Sequence, residues 1–258
     1  NSNQRWLGNC ARHKSMKFDN LSSSKRINEW INESYRECKA SYPIPKKGRI
    51  AFDIGANVGG FCIHAHKNFD KIFAFEPVVE NYNILCQVLE QMNIKNVEVY
   101  NMAIYSESGL QLPMKVCGRN DKNNKLISGD VTCIDTPVVN FKNIDQVCET
   151  ISLKDVIDAL EINYLDYLKL DCEGSEYEIL ENYDDYNKIM LICMEIHQFY
   201  GIERKINLLK MLYENYYFAD IDDGDKEYKD VSEVIRKSKE NSFMKYKNLH
   251  IVLLINRN

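Results

Sequence analysis

Three acidic residues stand where predicted buried strands end. Asp53 follows the letters IAF, Glu76 follows KIFAF, and Asp171 follows LKL. The carboxyl ends of parallel strands lie along one edge of a sheet, so we expect these carboxylates to face a single crevice. Glu76 follows Asp53 at close to the spacing of roughly 20 residues at which an acid meets ribose hydroxyls in nucleotide-binding folds. A carboxylate can accept hydrogen bonds from both hydroxyls of a cis-diol. The acids therefore predict a nucleoside-type site.

A glycine-rich turn, GANVGG at 55–60, follows the first of these strands. Gly55 and Gly59 permit positive φ and a close approach of the backbone to a ligand, and Asn57 tolerates the left-handed region. The residues after Gly60 are expected to form a helix, whose first N–H groups face the turn. Open α/β folds hold nucleotide-like ligands at such a strand-to-helix junction.

The turn departs from the G-x-G-x-x-G pattern of dinucleotide-binding folds. Asn57 stands where the middle glycine would admit a pyrophosphate, and the charge of Asp53 would repel that group and attract a cation. S-adenosylmethionine carries a ribose, an adenine, an ammonium and a sulfonium, and no phosphate. The turn therefore favours S-adenosylmethionine over a nicotinamide dinucleotide. A nicotinamide-dependent oxidoreductase on a related sheet is the first alternative.

The elements that must position these residues alternate between strands and helices. Such alternation predicts βαβ units and a mostly parallel sheet. The expected strands are 49–54, 71–76, 96–104, 188–197 and 249–256, with a strand that runs into a helix at 167–180. The expected helices are 60–67, 79–92, 152–160, with Ser152 as N-cap, and 205–216. We interpret 105–150 as loop with an antiparallel excursion, and 220–230 as a solvated loop.

Length and composition define the class of protein. The 258 residues suit a helical extension at 1–47 followed by one α/β domain at 48–258. The net charge of −5, with basic residues scattered among acids, argues against a nucleic-acid surface. No apolar window is long enough for a membrane span. Nine cysteines without a CxxC spacing are typical of reduced core residues in a cytoplasmic protein.

Several motifs in a fixed order resemble one family. The strings FDIGANVGGF, FAFEP, YLKLDCEGSEYEIL and MEIH are similar to those of the FkbM family of S-adenosylmethionine-dependent methyltransferases. The resemblance implies a Rossmann-like class I methyltransferase fold: a seven-stranded, mostly parallel sheet with helices on both faces and an antiparallel last strand. It also implies O-methylation of a sugar, glycan-like or natural-product hydroxyl. The positions that match cofactor-binding positions are Asp53, Gly55, Asn57, Gly59, Glu76, Asn101 and Ala103.

Methyl transfer to oxygen needs alignment and a base, because the hydroxyl loses its proton as it attacks the sulfonium carbon. The candidates at the same sheet edge are Asp171, Glu195 and His197. An ordinary histidine pKa of about 6.5 predicts a mostly neutral His197 near pH 7, which makes it the favoured base. The alternatives are a histidine bonded to a backbone carbonyl and an Asp171 that caps a helix. Glu176 is expected either on a helix surface or behind the base, in contact with the base but not with the substrate.

The same edge contains enough ligand groups for a metal. Asp171, Glu173, Glu195 and His197 are candidates for a Mg²⁺ or Mn²⁺ site that lowers the pKa of the acceptor hydroxyl. Lys169 lies within an apolar strand and needs a partner, for which a nearby strand-end acid is the natural choice. A third interpretation of the whole chain is a non-catalytic binding module that keeps the fold.

Overall fold

The computed structural model describes residues 21–117, 131–132, 141–197, 200–220, 226–227, 230, 232–233, 236 and 251–257. The strands, in chain order, are β1 (Gly48–Ile54), β2 (Phe69–Phe75), β3 (Val97–Tyr100), β4 (Ala103–Tyr105), β5 (Gln111–Cys117), β6 (Val131–Thr132), β7 (Phe141–Ser152), β8 (Tyr167–Leu170), β9 (Leu191–Glu195), β10 (Tyr216–Asp220), β11 (Lys226–Glu227) and β12 (Ile251–Asn256). The α-helices are α1 (Lys25–Ser41), α2 (Gly60–Ala65), α3 (Val79–Gln91), α4 (Leu153–Ala159), α5 (Glu176–Leu180) and α6 (Ile202–Tyr213).

The main sheet follows the order β11-β10-β12-β9-β8-β1-β2-β3. β3, β2, β1, β8 and β9 are parallel to one another, whereas β12 is antiparallel to both β9 and β10. Apart from the two-residue edge strand β11, this is the expected seven-stranded sheet with an antiparallel last strand. The parallel arrangement brings the carboxyl ends of β1, β2, β8 and β9 to one edge.

Both faces of the main sheet are covered by helices, as expected. Phe52 and Ile54 of β1 pack in one cluster with apolar residues of α4, α5 and α6, whereas Ala51 packs on the other face with residues of α2 and α3. This alternation follows from the two-residue period of a strand. Asp53 and Lys169 are register partners on β1 and β8. Both are buried, so the sheet contains a charged pair that must be internally satisfied.

The helix α1 packs directly on the start of α2. A Cβ added to Gly60 would lie 2.5 Å from the backbone oxygen and carbon of Ser34, so only glycine permits this approach. Ile31 and Tyr35 of α1 join an apolar cluster with residues of α2 and α3. The first 20 residues of the expected helical extension lie outside the described residues, and the domain division at residue 47 stays a prediction.

The segment after β3 departs from the sequence prediction. The single strand expected at 96–104 is two strands, β3 and β4, and β4 belongs to a second sheet of order β4-β7-β5-β6. The break falls at 101–102, where the side chain of Asn101 bonds back to the loop after β2. β5 and β7 pair antiparallel, which confirms the expected antiparallel excursion.

The remaining elements match their predictions to within a few residues. Ser152 caps α4, because its side chain accepts a hydrogen bond from Asp155 N, as expected. Most of the predicted loop at 220–230 lies outside the described residues. Of the helices in the described part of the chain, none combines the length and apolar character needed to cross a bilayer.

Candidate active site at the carboxyl edge

The glycine turn after β1 is held by the neighbouring strand. The N–H groups of Gly55 and Ala56 both donate to Phe75 O, at 3.0 and 3.1 Å, and Gly59 N donates to Ala56 O at 2.9 Å. Gly55 has φ 76° and Asn57 has φ 51°, both in the left-handed region. These engaged amides cannot also cradle a phosphate, so the turn offers shape rather than an anion site.

Gly55, directly after β1, also lies against the backbone of Asp171, directly after β8. A Cβ at Gly55 would lie 1.8 Å from Asp171 O, which is an impossible contact. A Cβ at Gly59 would lie 2.4 Å from the side chain of Leu85. Both glycines are therefore required by backbone conformation and by packing, independently of any ligand. Their predicted contact with a cofactor stays a prediction.

Glu76 closes the turn from the end of β2. Its Oε2 accepts from Asn57 N at 2.7 Å and its Oε1 accepts from Val78 N at 2.9 Å, with Asn81 Nδ2 a more distant donor at 3.4 Å. Burial raises the pKa of Glu76 to about 7, although these hydrogen bonds oppose the shift. The predicted ribose acid and the glycine turn thus form one hydrogen-bonded unit.

Asn101 and Ala103 lie behind this unit. Asn101 Nδ2 donates to Glu76 O at 2.8 Å and to Pro77 O at 3.0 Å, so its amide fixes the loop that carries Glu76. Ala103 is buried in a small apolar cluster with Val78 and residues of the second sheet. Packing and loop support account for both side chains, and a contact of this segment with the cofactor stays a prediction.

Asp53 is wholly buried beneath the turn. Lys169 Nζ lies 3.0 Å from Asp53 Oδ1 and 3.8 Å from Asp171 Oδ2, and it donates to Gly55 O at 2.7 Å. Burial works against the charge of Lys169, but the carboxylates of Asp53 and Asp171 outweigh it and raise the lysine pKa. The predicted acidic partner of Lys169 is therefore confirmed. Because Lys169 balances Asp53, the expected repulsion of a pyrophosphate by Asp53 is wrong for this arrangement.

Asp171 and Glu195 meet at the ends of β8 and β9. The side chain of Asp171 is 27% exposed, and it hydrogen bonds to the more buried carboxyl group of Glu195. Burial and the charge of Asp171 raise the pKa of Glu195 to about 9. Glu195 therefore holds a proton near pH 7. Asp171 does not cap α5, whose N-cap is Ser175.

His197 lies between two carboxylates. Its Nδ1 is 3.0 Å from Glu176 Oε1, and its Nε2 is 3.1 Å from Glu173 Oε2. Burial opposes an imidazolium, but the charges of Glu176 and Glu173 outweigh burial and raise the pKa of His197 well above its ordinary value. The expectation of a neutral His197 near pH 7 is wrong, because the sequence did not reveal two acids at hydrogen-bonding distance. Both ring nitrogens of His197 face carboxylates rather than the backbone carbonyl of the alternative interpretation.

Glu176 and Tyr42 make contacts in the site that the sequence did not predict. Glu176 is 0% exposed and lies against His197, so of its two expected places the helix surface is wrong and the position behind the histidine is confirmed. Tyr42, which follows α1, is buried with Lys169 Nζ 5.5 Å from its ring centroid. The apolar letters around Glu176 gave a signal for burial. No local pattern could have linked Tyr42 to Lys169, since they lie in distant parts of the chain.

The strand order, the glycine turn after β1 and the acids gathered at the carboxyl edge of the sheet define a Rossmann-like α/β domain. The chain belongs to the methyltransferase FkbM domain family, whose model matches residues 53–234. It is therefore a methyltransferase domain with the Rossmann-like class I fold, as the sequence resemblance implied. Among curated protein sequences, none matches the chain significantly.

Solved structures with a similar fold are distant in sequence. Methyltransferase FkbM from Methylobacillus flagellatus KT is 12% identical, with 81% of this chain and 44% of that chain covered and a TM-score of 0.46. Precorrin-6y C5,15-methyltransferase from Geobacter metallireducens GS-15 is 11% identical over 94% of this chain and 95% of that chain, with a TM-score of 0.43. M. capricolum TrmK, in complex with S-adenosyl-homocysteine, is 14% identical over 89% of this chain and 68% of that chain, with a TM-score of 0.42. This chain thus spans less than half the length of the FkbM structure.

Proposed function

We propose that this chain is an S-adenosylmethionine-dependent O-methyltransferase that acts on a hydroxyl of a sugar, glycan-like or natural-product acceptor. Membership of the family supports methyl transfer. The observation that carries the cofactor assignment is the 2.7 Å hydrogen bond from Asn57 N to Glu76 Oε2. It joins the glycine turn to a buried carboxyl group that retains capacity for a ribose hydroxyl. Glu76 thus serves as the ribose acid of the cofactor site.

Two features of the turn support S-adenosylmethionine over a nicotinamide dinucleotide. The N–H groups of Gly55, Ala56, Asn57 and Gly59 are all engaged by protein acceptors, so they do not offer the donors that a pyrophosphate requires. Asn57 also occupies the place of the middle glycine that admits a pyrophosphate. S-adenosylmethionine needs neither feature, because it carries no phosphate.

Asp171 is the residue that we assign to the acceptor hydroxyl. Its side chain is 27% exposed, whereas His197 is buried, and it stands at the sheet edge beside the turn. An ionised Asp171 accepts the hydroxyl proton as oxygen attacks the methyl carbon and the sulfonium leaves as a thioether. Glu195 shares its proton with Asp171 and orients it. His197, as an imidazolium, positions Glu173 rather than acting as the base.

The test of the cofactor assignment is direct binding. We expect S-adenosylhomocysteine and S-adenosylmethionine to raise the unfolding midpoint, since a ligand at 100 times its Kd adds about 2.7 kcal/mol. For a chain of this size the rise is about 5 °C, and NAD should give none. Glu76→Gln should weaken S-adenosylhomocysteine binding at least tenfold in calorimetry. The matched control is Glu80→Gln, an exposed acid in the first turn of α3, which should bind normally.

The outcomes of this test separate the three functions. A midpoint shift with NAD alone would establish the oxidoreductase alternative. No shift with any of these ligands at millimolar concentration would favour a non-catalytic module. Equal affinity in wild type and Glu76→Gln would remove Glu76 from the cofactor site.

The test of Asp171 is methyl transfer from labelled S-adenosylmethionine to a panel of sugar and natural-product hydroxyls. Asp171→Asn should lower the transfer rate by about 100-fold or more, because it removes the proton acceptor. Its affinity for S-adenosylhomocysteine should change by less than about twofold. Asp184→Asn, an exposed aspartate outside the site, is the matched control. Full activity of Asp171→Asn would overturn the assignment.

A further inference from the structure

We infer that Asp171, Glu173 and His197 form a binding site for a divalent cation. Each residue offers one ligand atom, and the three atoms lie within 4.8 Å of one another. Opposite ligands of a small divalent cation at about 2.1 Å are about 4.2 Å apart, so a shift of a few tenths of an ångström closes the site. Asp171 and Glu173 are part-exposed, with 27% and 21% of their side chains accessible, and an ion can therefore enter.

His197 is already oriented as a metal-binding histidine would be. Its Nδ1 lies 3.0 Å from Glu176 Oε1, which leaves Nε2 directed at the part of the cluster that contains Glu173. Histidine ligands generally donate their other ring N–H to a carboxylate in this manner, which fixes the ring and strengthens the ligand nitrogen. Glu176 is not one of the three ligands, so this support comes from outside the cluster.

The carboxylate of Glu176 gives a second indication that positive charge is favoured at this place. Its Oε1 accepts from Cys172 N at 3.1 Å and from Gly174 N at 3.3 Å, so the carboxylate sits inside the loop that carries Asp171 and Glu173. Its Oε2 is buried and has no hydrogen-bond partner. A buried carboxylate oxygen without a hydrogen-bond partner is costly unless positive charge is nearby; the His197 imidazolium supplies that charge in the free protein, and a bound cation would supply it once His197 has lost its Nε2 proton.

The balance of charge around the loop also favours a cation. Asp171, Glu173 and Glu176 supply three carboxylates within a few residues, and Lys169 Nζ, at 3.8 Å from Asp171, is mainly engaged by Asp53. A divalent ion would displace the Nε2 proton of His197 to solvent, accept the lone pair that this proton leaves, and balance the surplus negative charge. Two carboxylates with one imidazole suit Mn²⁺ better than Mg²⁺, because imidazole is a softer ligand than oxygen.

A cation here would lie where the proposed acceptor hydroxyl is deprotonated. A coordinated hydroxyl has a lowered pKa, so the ion would assist the loss of the proton that Asp171 receives. This catalytic role rests on the proposed function, whereas the binding of the cation does not.

The experiment is a titration of the protein with Mn²⁺ alone, followed by the electron paramagnetic resonance signal of the free ion. No cofactor or acceptor is present, so the result is independent of methyl transfer. We expect one site in wild type, at least tenfold weaker binding in Glu173→Gln, and unchanged binding in Glu90→Gln. Glu90 is an exposed acid on α3 and serves as the matched control. Asp171→Asn is a second variant at a part-exposed position, in case Glu173→Gln does not fold by circular dichroism.

Two results would overturn the inference. The first is no loss of the free Mn²⁺ signal up to about 1 mM ion, which would mean that the imidazolium alone satisfies Glu173 and Glu176. The second is equal binding by wild type, Glu173→Gln and Asp171→Asn, which would place the ion elsewhere on the chain.

Discussion

The turn after β1 and the loop after β8 lie side by side on one sheet edge, yet they are built differently. The turn uses backbone: its amides are engaged by Phe75 and Glu76, and its conformation depends on positive φ. The loop is built from charged side chains. Glu173 and Glu176 contact His197, and Asp171 hydrogen bonds to Glu195 of the next strand. The first region offers a shape for a ligand without phosphate, and the second offers groups that hold or transfer a proton.

Gly55 and Lys169 connect the two regions, whereas Glu76 supports the turn. Gly55 is where the turn touches the backbone of the loop, and Lys169 contacts acids of both regions. The carboxylate of Glu76 accepts hydrogen bonds from the turn, from Val78 after β2 and from Asn81 of α3. Changes at Gly55 or Lys169 should therefore disturb both regions. A change at Glu76 should disturb only the turn, where we propose that the cofactor binds.

Gly55→Ala should have the largest effect, because it disrupts the contact between the two regions. The added Cβ would meet Asp171 O at 1.8 Å at φ 76°, so β1 and β8 must separate. We expect a loss of about 4 kcal/mol or more in the free energy of unfolding, measured in urea. Gly109→Ala has φ 80° and no atom within 4 Å, so it isolates the conformational cost, about 1 kcal/mol. Equal losses in the two variants would contradict the close approach.

Lys169→Met should have the next largest effect. It leaves Asp53, which is 0% exposed, as an unpaired buried charge, and we expect a loss of about 3 kcal/mol in the free energy of unfolding. Asp53→Asn combined with Lys169→Met removes the charge as well and should recover much of the loss. A double variant less stable than Lys169→Met would mean that the ion pair does not dominate this part of the core.

The smallest effect concerns the cofactor side and depends on pH. The pKa of Glu76 is raised to about 7, so the group changes from mostly neutral to mostly ionised between pH 6 and 8. The ionised carboxylate is the better acceptor for ribose hydroxyls, so affinity for S-adenosylhomocysteine should rise roughly tenfold over this range. Stability of the free protein changes in the opposite sense. Because folding raises the pKa of Glu76, this group contributes its full stabilisation to the folded state below the ordinary glutamate pKa. That contribution is lost as the pH rises through about 7.

Calorimetry at several pH values checks this prediction, with Glu76→Gln as the variant without the titrating group. The variant should bind weakly at every pH and show no rise. A similar rise in Glu76→Gln would assign the pH dependence to another group, and the contrast between the two regions would then need a different explanation.

The prediction of the fold from the sequence was accurate where local pattern dominates. The strands and helices from β1 to α3, the N-cap Ser152 and the antiparallel last strand match their predictions. The strand at 96–104 was wrong, because apolar periodicity does not show that Asn101 turns the chain toward a second sheet. The site was predicted as a set of converging residues, but its protonation was not, since His197 is positively charged rather than neutral.

The sequence by itself determined the glycines that allow the turn, the acids that end three strands, and the family. These depend on φ preferences, on hydrophobic periodicity and on short strings of neighbouring residues. Only the tertiary structure decided that Asp53 is neutralised by Lys169 and that His197 lies between Glu173 and Glu176. Ion pairs and pKa values depend on distances of a few ångströms and on burial, and both are set by packing between distant parts of the chain.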